Sequence, residues 1–265
     1  MVKIVIDAGH GLNTPGKRSP DDEREWSFNN KVAKYAIAKL KTYKDVEILR
    51  VDDPTGKTDV PLKTRTSLAN KWKADVYASI HHNALANKWG NHSGIETYTM
   101  DNPKANPKSI EIAGAIHPRI VMAMGISDRG MKRANFHVLR ESAMPAILTE
   151  GGFMDSTVDI IKLRDNQYLK AQGEAIAEGL ATFFKLQPIT NPTSALKEGA
   201  HKLYKPSSQS LINSTSAVLK KLEKMADNPL SPIWHEKLVK GTLTDSDAIG
   251  LLYVAIDRGL LVDEK

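Results

Sequence analysis

No cysteine occurs in the 265 residues. That absence excludes disulfides, thiolate metal sites and a cysteine nucleophile, and it leaves His, Asp and Glu as the available metal ligands and general bases. No apolar run is long enough to cross a bilayer. The opening Met-Val-Lys-Ile-Val-Ile reaches Asp7 without the apolar stretch and small-residue cleavage site of a secretory signal. The expectation is a protein made in a cytoplasm, whose work outside it would depend on another release route. Internal repeats and low-complexity segments are also lacking.

What is present is 41% hydrophobic and 26% charged residues, enough to bury one good core and leave a second, smaller unit. A formal charge of +6 and a pI near 9.2 favour a polyanionic partner. Nucleic acid, an acidic membrane surface or an anionic cell wall would qualify, but no nucleic-acid recognition motif accompanies the charge. Residues 187 to 265 hold ten Lys and Arg against nine Asp and Glu, so the excess lies mainly upstream.

Val2 to Ile6 reads as a buried strand ended by the turn Asp7-Ala8-Gly9-His10-Gly11. Phe28, Val32, Tyr35, Ala36 and Leu40 then fall on one helical face, with Glu25 in or just before the first turn. Strands are expected over 46–51, 76–80 and 95–98, near Phe136 to Leu139, and over 146–149. Helices are expected over 62–73 and 107–124, and through Leu169, Ile176, Leu180, Phe183 and Phe184. Strand and helix alternate, so an α/β sheet of βαβ units is the economical architecture. The uncharged stretch Gln187 to Ser194, with Pro188 and Pro192, marks the boundary: a domain over 1–186, a linker over 187–200 and a small helical domain over 201–265. In that last domain, Leu211, Val218, Leu222 and Met225 form one helical stripe, and Ile249, Leu252, Tyr253 and Ile256 another.

His10, His81 and Glu150 all fall at expected strand ends, where open parallel sheets gather their ligands. Alone, His10 could serve the turn, and the alternation of a strand lets at most one of His81 and His82 face a crevice. A cysteine-free peptide-type hydrolase requires a specific inventory. Two His and one carboxylate hold a Zn²⁺ with one position open, and a further carboxylate takes the proton of the attacking water. His10, Glu25, His81 and Glu150 fill it.

Several separated motifs carry a family likeness. They are Asp7-Ala8-Gly9-His10-Gly11; Glu25 with Asn29 and Val32-Ala33; Leu62, Arg65, Ala69-Asn70 and Ala74-Asp75; Ser79-Ile80-His81-His82-Asn83-Ala84; Gly94-Ile95-Glu96; Val138-Leu139-Arg140; Pro145-Ala146; and Glu150-Gly151-Gly152-Phe153. In this order, from Val2 to about Lys185, the chain resembles the zinc-dependent N-acetylmuramoyl-L-alanine amidases of the amidase-3 family, which occur in bacterial autolysins and phage endolysins. The resemblance implies zinc ligands at His10, Glu25 and His81, Glu150 as the catalytic acid–base residue, and a twisted, largely parallel sheet with helices on both faces. Glu25 is preferred to Glu23 because the family's ligand stands four residues before the asparagine matched by Asn29.

His82 reads as groove-lining or structural, since a fourth ligand would close the site. His92 and His117 read as structural, and His137 as either packed or groove-facing. The expected substrate is bacterial peptidoglycan, cut between N-acetylmuramic acid and L-alanine. The tail would add wall retention, with an anionic wall polymer as its ligand, or serve as a structural cap. A zinc carboxypeptidase-like peptidase acting on stem peptides and a non-catalytic wall-binding protein are the competing readings.

Overall fold

The structure, a computed structural model, describes residues 1–86, 88–101, 107–189, 209–224, 233–243, 248, 251 and 255. β1 (Val2–Ala8) lies inside a six-stranded sheet of order β2-β1-β3-β6-β4-β5. β2 is Val46–Arg50, β3 Val76–Asn83, β4 Ile95–Thr99, β5 Asp128–Arg133 and β6 Ala146–Phe153. Every pairing is parallel except that of β4 with β6.

Strand alternation sends the two sides of β1 into different cores. Ile4, Ile6 and Ala8 join the larger one, covered by α1 (Glu25–Leu40), α3 (Pro107–Met124) and α6 (Asn166–Phe184). Val5 joins the smaller one with Ala69 of α2 (Leu62–Trp72) and with Val138 and Leu139 of the single turn α4 (His137–Arg140). Helices therefore cover both faces, and the sheet is buried throughout its middle, as parallel sheets require.

The chain leaves β1 through α1 to β2, then returns through α2 to β3 on the other side of β1. The crevice at the carboxyl ends of β1 and β3 is thus a topological switch point. That is where His10 and His81 emerge.

Three sequence expectations need correction. Phe136 to Leu139 is no strand: residues 137–140 make one helical turn, which lets the consecutive Val138 and Leu139 both bury. The strand of that region is β5, whose sequence Asp-Arg-Gly-Met-Lys-Arg carries almost no apolar residues. A charged edge strand of this kind has no period-2 apolar signal and is protected against edge-to-edge pairing. Lastly, β3 and β6 run past their apolar stretches to Asn83 and Phe153, because backbone pairing continues through His81 and Glu150. The short α5 (Asp159–Leu163) was not anticipated.

Residues Met1–Ile189 form one compact unit and Thr190–Lys265 another. In the second, α7 (Gln209–Glu223) and α8 (Ile233–Val239) contribute to a small cluster of Leu219, Leu243 and Leu251 with Trp234 and Leu238. Met225, the stripe of Ile249, Leu252, Tyr253 and Ile256, and most of the expected linker lie outside the described residues. No described helix is long and apolar enough to cross a membrane.

Candidate active site

His10 follows β1 after Gly9 alone and adopts a left-handed conformation, φ 66°, which is uncommon for any residue other than glycine. It is held there from below. The guanidinium of Arg65, on α2, donates to the carbonyls of Ala8 (2.8 Å) and His10 (2.9 Å) while pairing with buried Asp7 at 2.6 Å. Asp7 also accepts from Tyr77 and Ser79, each at 2.9 Å. Gly9, the preceding residue, has no substitute: a Cβ there would stand 2.0 Å from the His81 ring.

Glu25 opens α1, so its carboxylate sits at the positive end of the helix dipole. It is 3% exposed. Its Oε2 lies 3.2 Å from His10 Nε2 and its Oε1 2.9 Å from His81 Nδ1. The two imidazoles meet edge to face, with centroids 4.9 Å apart. One ligand atom from each of His10, Glu25 and His81 lies within 4.8 Å of the others, the single such His/Asp/Glu cluster among the described residues. Although burial opposes ionisation, the hydrogen bonds from His10 and His81 hold the Glu25 carboxyl well below the usual range. A buried anion facing two imidazole nitrogens is a donor set suited to a divalent cation, and the residues fit zinc in particular.

Supporting side chains fix this arrangement. Asn29, one turn after Glu25, donates to Glu25 Oε1 (3.2 Å) and to the Gly9 carbonyl (3.0 Å), leaving its Oδ1 to accept from His82 Nδ1 at 2.7 Å. Burial pushes His82 down to about 4, so it is neutral, and with the proton on Nδ1 its Nε2 is an acceptor. Gln172 Oε1 lies 3.2 Å from that nitrogen while Gln172 Nε2 has no partner. Turning the amide over makes its NH₂ the donor to His82 Nε2. His82 is therefore structural, and Gly151 makes room for it: a Cβ there would lie 1.9 Å from Gln172 Nε2.

Glu150 sits beside His81 in register on the neighbouring strand. Both line a cleft of about 350 Å³ together with Glu25, Lys17, Asn83 and Leu85. A second cavity, about 280 Å³, opens on the other side, where His10 and His81 meet Asp59, Val60 and Leu62. A substrate can thus extend in both directions from the cluster. Glu150 Oε2 is buried and has no hydrogen-bond partner among the described residues. Its burial raises the carboxyl to about 8; His81 and Lys17 oppose that rise, and Glu25 and Glu96 reinforce it.

This has a measurable consequence in the metal-free protein. Folded Glu150 keeps its proton up to about 8, whereas the unfolded chain releases it near the ordinary value of 4.5. The stability linked to that proton is full below about 4.5 and is lost as pH rises through about 8. Denaturation midpoints of the metal-free protein should fall across this window, and those of Glu150→Gln should fall less. Equal slopes for the two proteins would contradict the assignment.

The remaining candidates lie elsewhere. Glu23 pairs with Arg164, at 2.8 Å. His92 binds Asp155, His117 bridges Thr97 and Asp128, and His137 turns to Thr66. Arg140 is engaged by Glu141 and Asn135 at the surface. Sequence reasoning missed Lys17 and Gln172. The first carries no motif, and the second reaches His82 from 90 residues away.

Sheet and site together define a hydrolase whose reactive groups, two imidazoles and two carboxylates, cluster at the switch point of a largely parallel sheet. The family model for N-acetylmuramoyl-L-alanine amidase matches residues 4–182, and the chain belongs to that family; its enzymatic activity is that of an N-acetylmuramoyl-L-alanine amidase. It is 37% identical over 193 residues to the sporulation-specific N-acetylmuramoyl-L-alanine amidase of Bacillus subtilis, covering 72% of this chain and 71% of that one. To the endolysin of Bacillus phage SPP1 it is 31% identical over 240 residues, covering 88% and 80%. Among solved structures, the N-acetylmuramoyl-L-alanine amidase of Clostridium difficile 630 superposes with a TM-score of 0.64 at 36% identity, over 69% of this chain and 97% of that one.

Proposed function

We propose that the chain hydrolyses the amide between the lactyl group of N-acetylmuramic acid and L-alanine, with a zinc ion held by His10, Glu25 and His81 and with Glu150 as the acid–base residue. When bound, the ion would polarise the amide carbonyl and stabilise the negative charge that develops on its oxygen. Glu150 takes the proton of the attacking water and delivers it to the leaving alanine amine. A divalent cation held beside it would favour the ionised carboxylate, the form that accepts that proton. The observation that carries the reading is the buried, partnerless Glu150 Oε2, one strand spacing from His81. The adjoining buried amide of Gln172 and ring of His82 keep that wall of the cleft rigid.

We further assign the chain to host lysis as a phage endolysin. The likeness to the SPP1 endolysin spans 88% of the chain, more than the whole first unit, Met1–Ile189, so it extends into the second. That second unit would hold the enzyme on its insoluble substrate, where tethering raises local concentration without new catalytic contacts; an anionic wall polymer is the ligand we assign to it.

Incubating the protein with isolated peptidoglycan tests the activity. New alanine amines without new reducing ends are expected, abolished by a chelator and restored by zinc. New reducing ends would mean a glycosidase, amines of other residues a carboxypeptidase-like peptidase, and amines that persist under chelation would remove the metal from the mechanism.

A further inference from the structure

Beyond the amidase site, the sheet carries a second line of charge. Glu150 on β6 is in register with His81 of β3 on one side and with Glu96 of β4 on the other. Paired residues share a sheet face, so His81, Glu150 and Glu96 lie in line on one face, pointing across the sheet toward the edge strand β5. Glu96 is 2% exposed. Its Oε1 accepts from Arg129 Nε (2.6 Å) and Lys132 Nζ (2.5 Å), and its Oε2 from Tyr98 Oη (2.5 Å) and from Asn83 Nδ2 (3.2 Å), itself a residue of the catalytic cleft.

One buried carboxylate needs one cation, and here it holds two. A net positive charge is left at the surface, on side chains 38% and 37% exposed. Arg129 is anchored through Nε alone and is packed over the Phe153 ring, 5.0 Å from its centroid. Neither of its Nη groups has a hydrogen bond or ion pair among the described residues. A guanidinium fixed at Nε presents its outer edge as a ready fork for a carboxylate.

We propose that Arg129 and Lys132 form a carboxylate-binding subsite for the stem peptide. The inference rests on the amidase reading. The glycan next to the cleaved amide is uncharged, whereas the stem carries free carboxylates, so the cationic end of the groove takes the peptide side. Strands β6 and β5 stand two spacings apart, about 10 Å, which an extended peptide covers in about three residues. Glu96 is a positioning residue in this arrangement: it preorganises both cations and does not meet the substrate.

The test uses the full-length enzyme and two soluble muramoyl-peptides, one with free stem carboxylates and the other with those groups amidated. The unmodified enzyme should show a KM about tenfold lower for the carboxylate form, at similar kcat. In Arg129→Gln that preference should collapse, with kcat on the carboxylate form retained. Lys132→Gln, which leaves Glu96 its arginine, should weaken the preference and serves if the first variant fails to fold. Equal KM values for the two substrates in the unmodified enzyme, or a preference surviving in both variants, would overturn the subsite. No alanine amine from either substrate would overturn the amidase reading and this inference with it.

Discussion

Glu150→Gln is expected to lower kcat by about 10²- to 10⁴-fold, the usual contribution of a positioned general base, while zinc uptake stays equimolar. The reasoning separates two roles that lie side by side. Glu25 is in direct contact with both imidazoles, whereas Glu150 is adjacent to His81 in the sheet but its Oε2 makes no hydrogen bond among the described residues. Replacing the Glu150 carboxyl therefore leaves the donor cluster whole and removes the group we assign to accept the water's proton. Gln is nearly the same shape, so the cleft should not collapse. Turnover on peptidoglycan and metal content by elemental analysis decide the matter together. A variant with normal turnover would end the acid–base assignment, and one that lost its metal would make Glu150 a ligand. His10→Ala and His81→Ala should lose metal and activity together.

Arg65→Met should be the most destabilising single change near the site, by about 3–5 kcal/mol. The side chain is 1% exposed and meets Asp7, which is equally buried. Its loss leaves that carboxylate with only the Tyr77 and Ser79 hydroxyls, an uncompensated charge inside the protein. The same substitution frees the carbonyl of His10 and leaves the left-handed turn to the hydrogen bonds of Gly9 with Ile80 and Asn29 and of Gly11 with Thr14. Zinc affinity should fall by about 10- to 100-fold, as it does when outer-shell partners are lost. Arg65→Lys should recover little, because an ammonium cannot reproduce the fork that reaches Asp7, Ala8 and His10 at once. Asp7→Asn added to Arg65→Met should recover part of the stability by removing the stranded charge. Denaturant midpoints and a zinc titration read the two effects separately, and an Arg65→Met protein within about 1 kcal/mol of the parent would refute the clamp.

Arg65 also shows the limit of reading from sequence. In the sequence it is one motif residue on an expected helix, and only the fold shows it fully enclosed beneath the His10 turn. Conversely, Glu25 was separable from Glu23 through the family resemblance, in which the ligand stands four residues before the asparagine matched by Asn29, and the structure has a hydrogen bond across that spacing. The apolar runs of β1, β3 and β6 were legible because buried parallel strands are apolar on both faces. β5 was not, since an edge strand keeps its pairing without an apolar pattern.

The sequence by itself determined the alternation of strands and helices, and it set out a break near residue 187 and His10, Glu25, His81 and Glu150 as candidates, because periodicity, turn chemistry and motif order are local properties of the chain. Only the tertiary structure decided that β4 runs against β6, that Gln172 supports His82, and that Glu96 lies beside Glu150 with two cations from β5. Those relations join residues brought together by strand order and burial. A buried charge takes its partners from whichever elements the fold sets beside it, and no spacing along the chain encodes that choice.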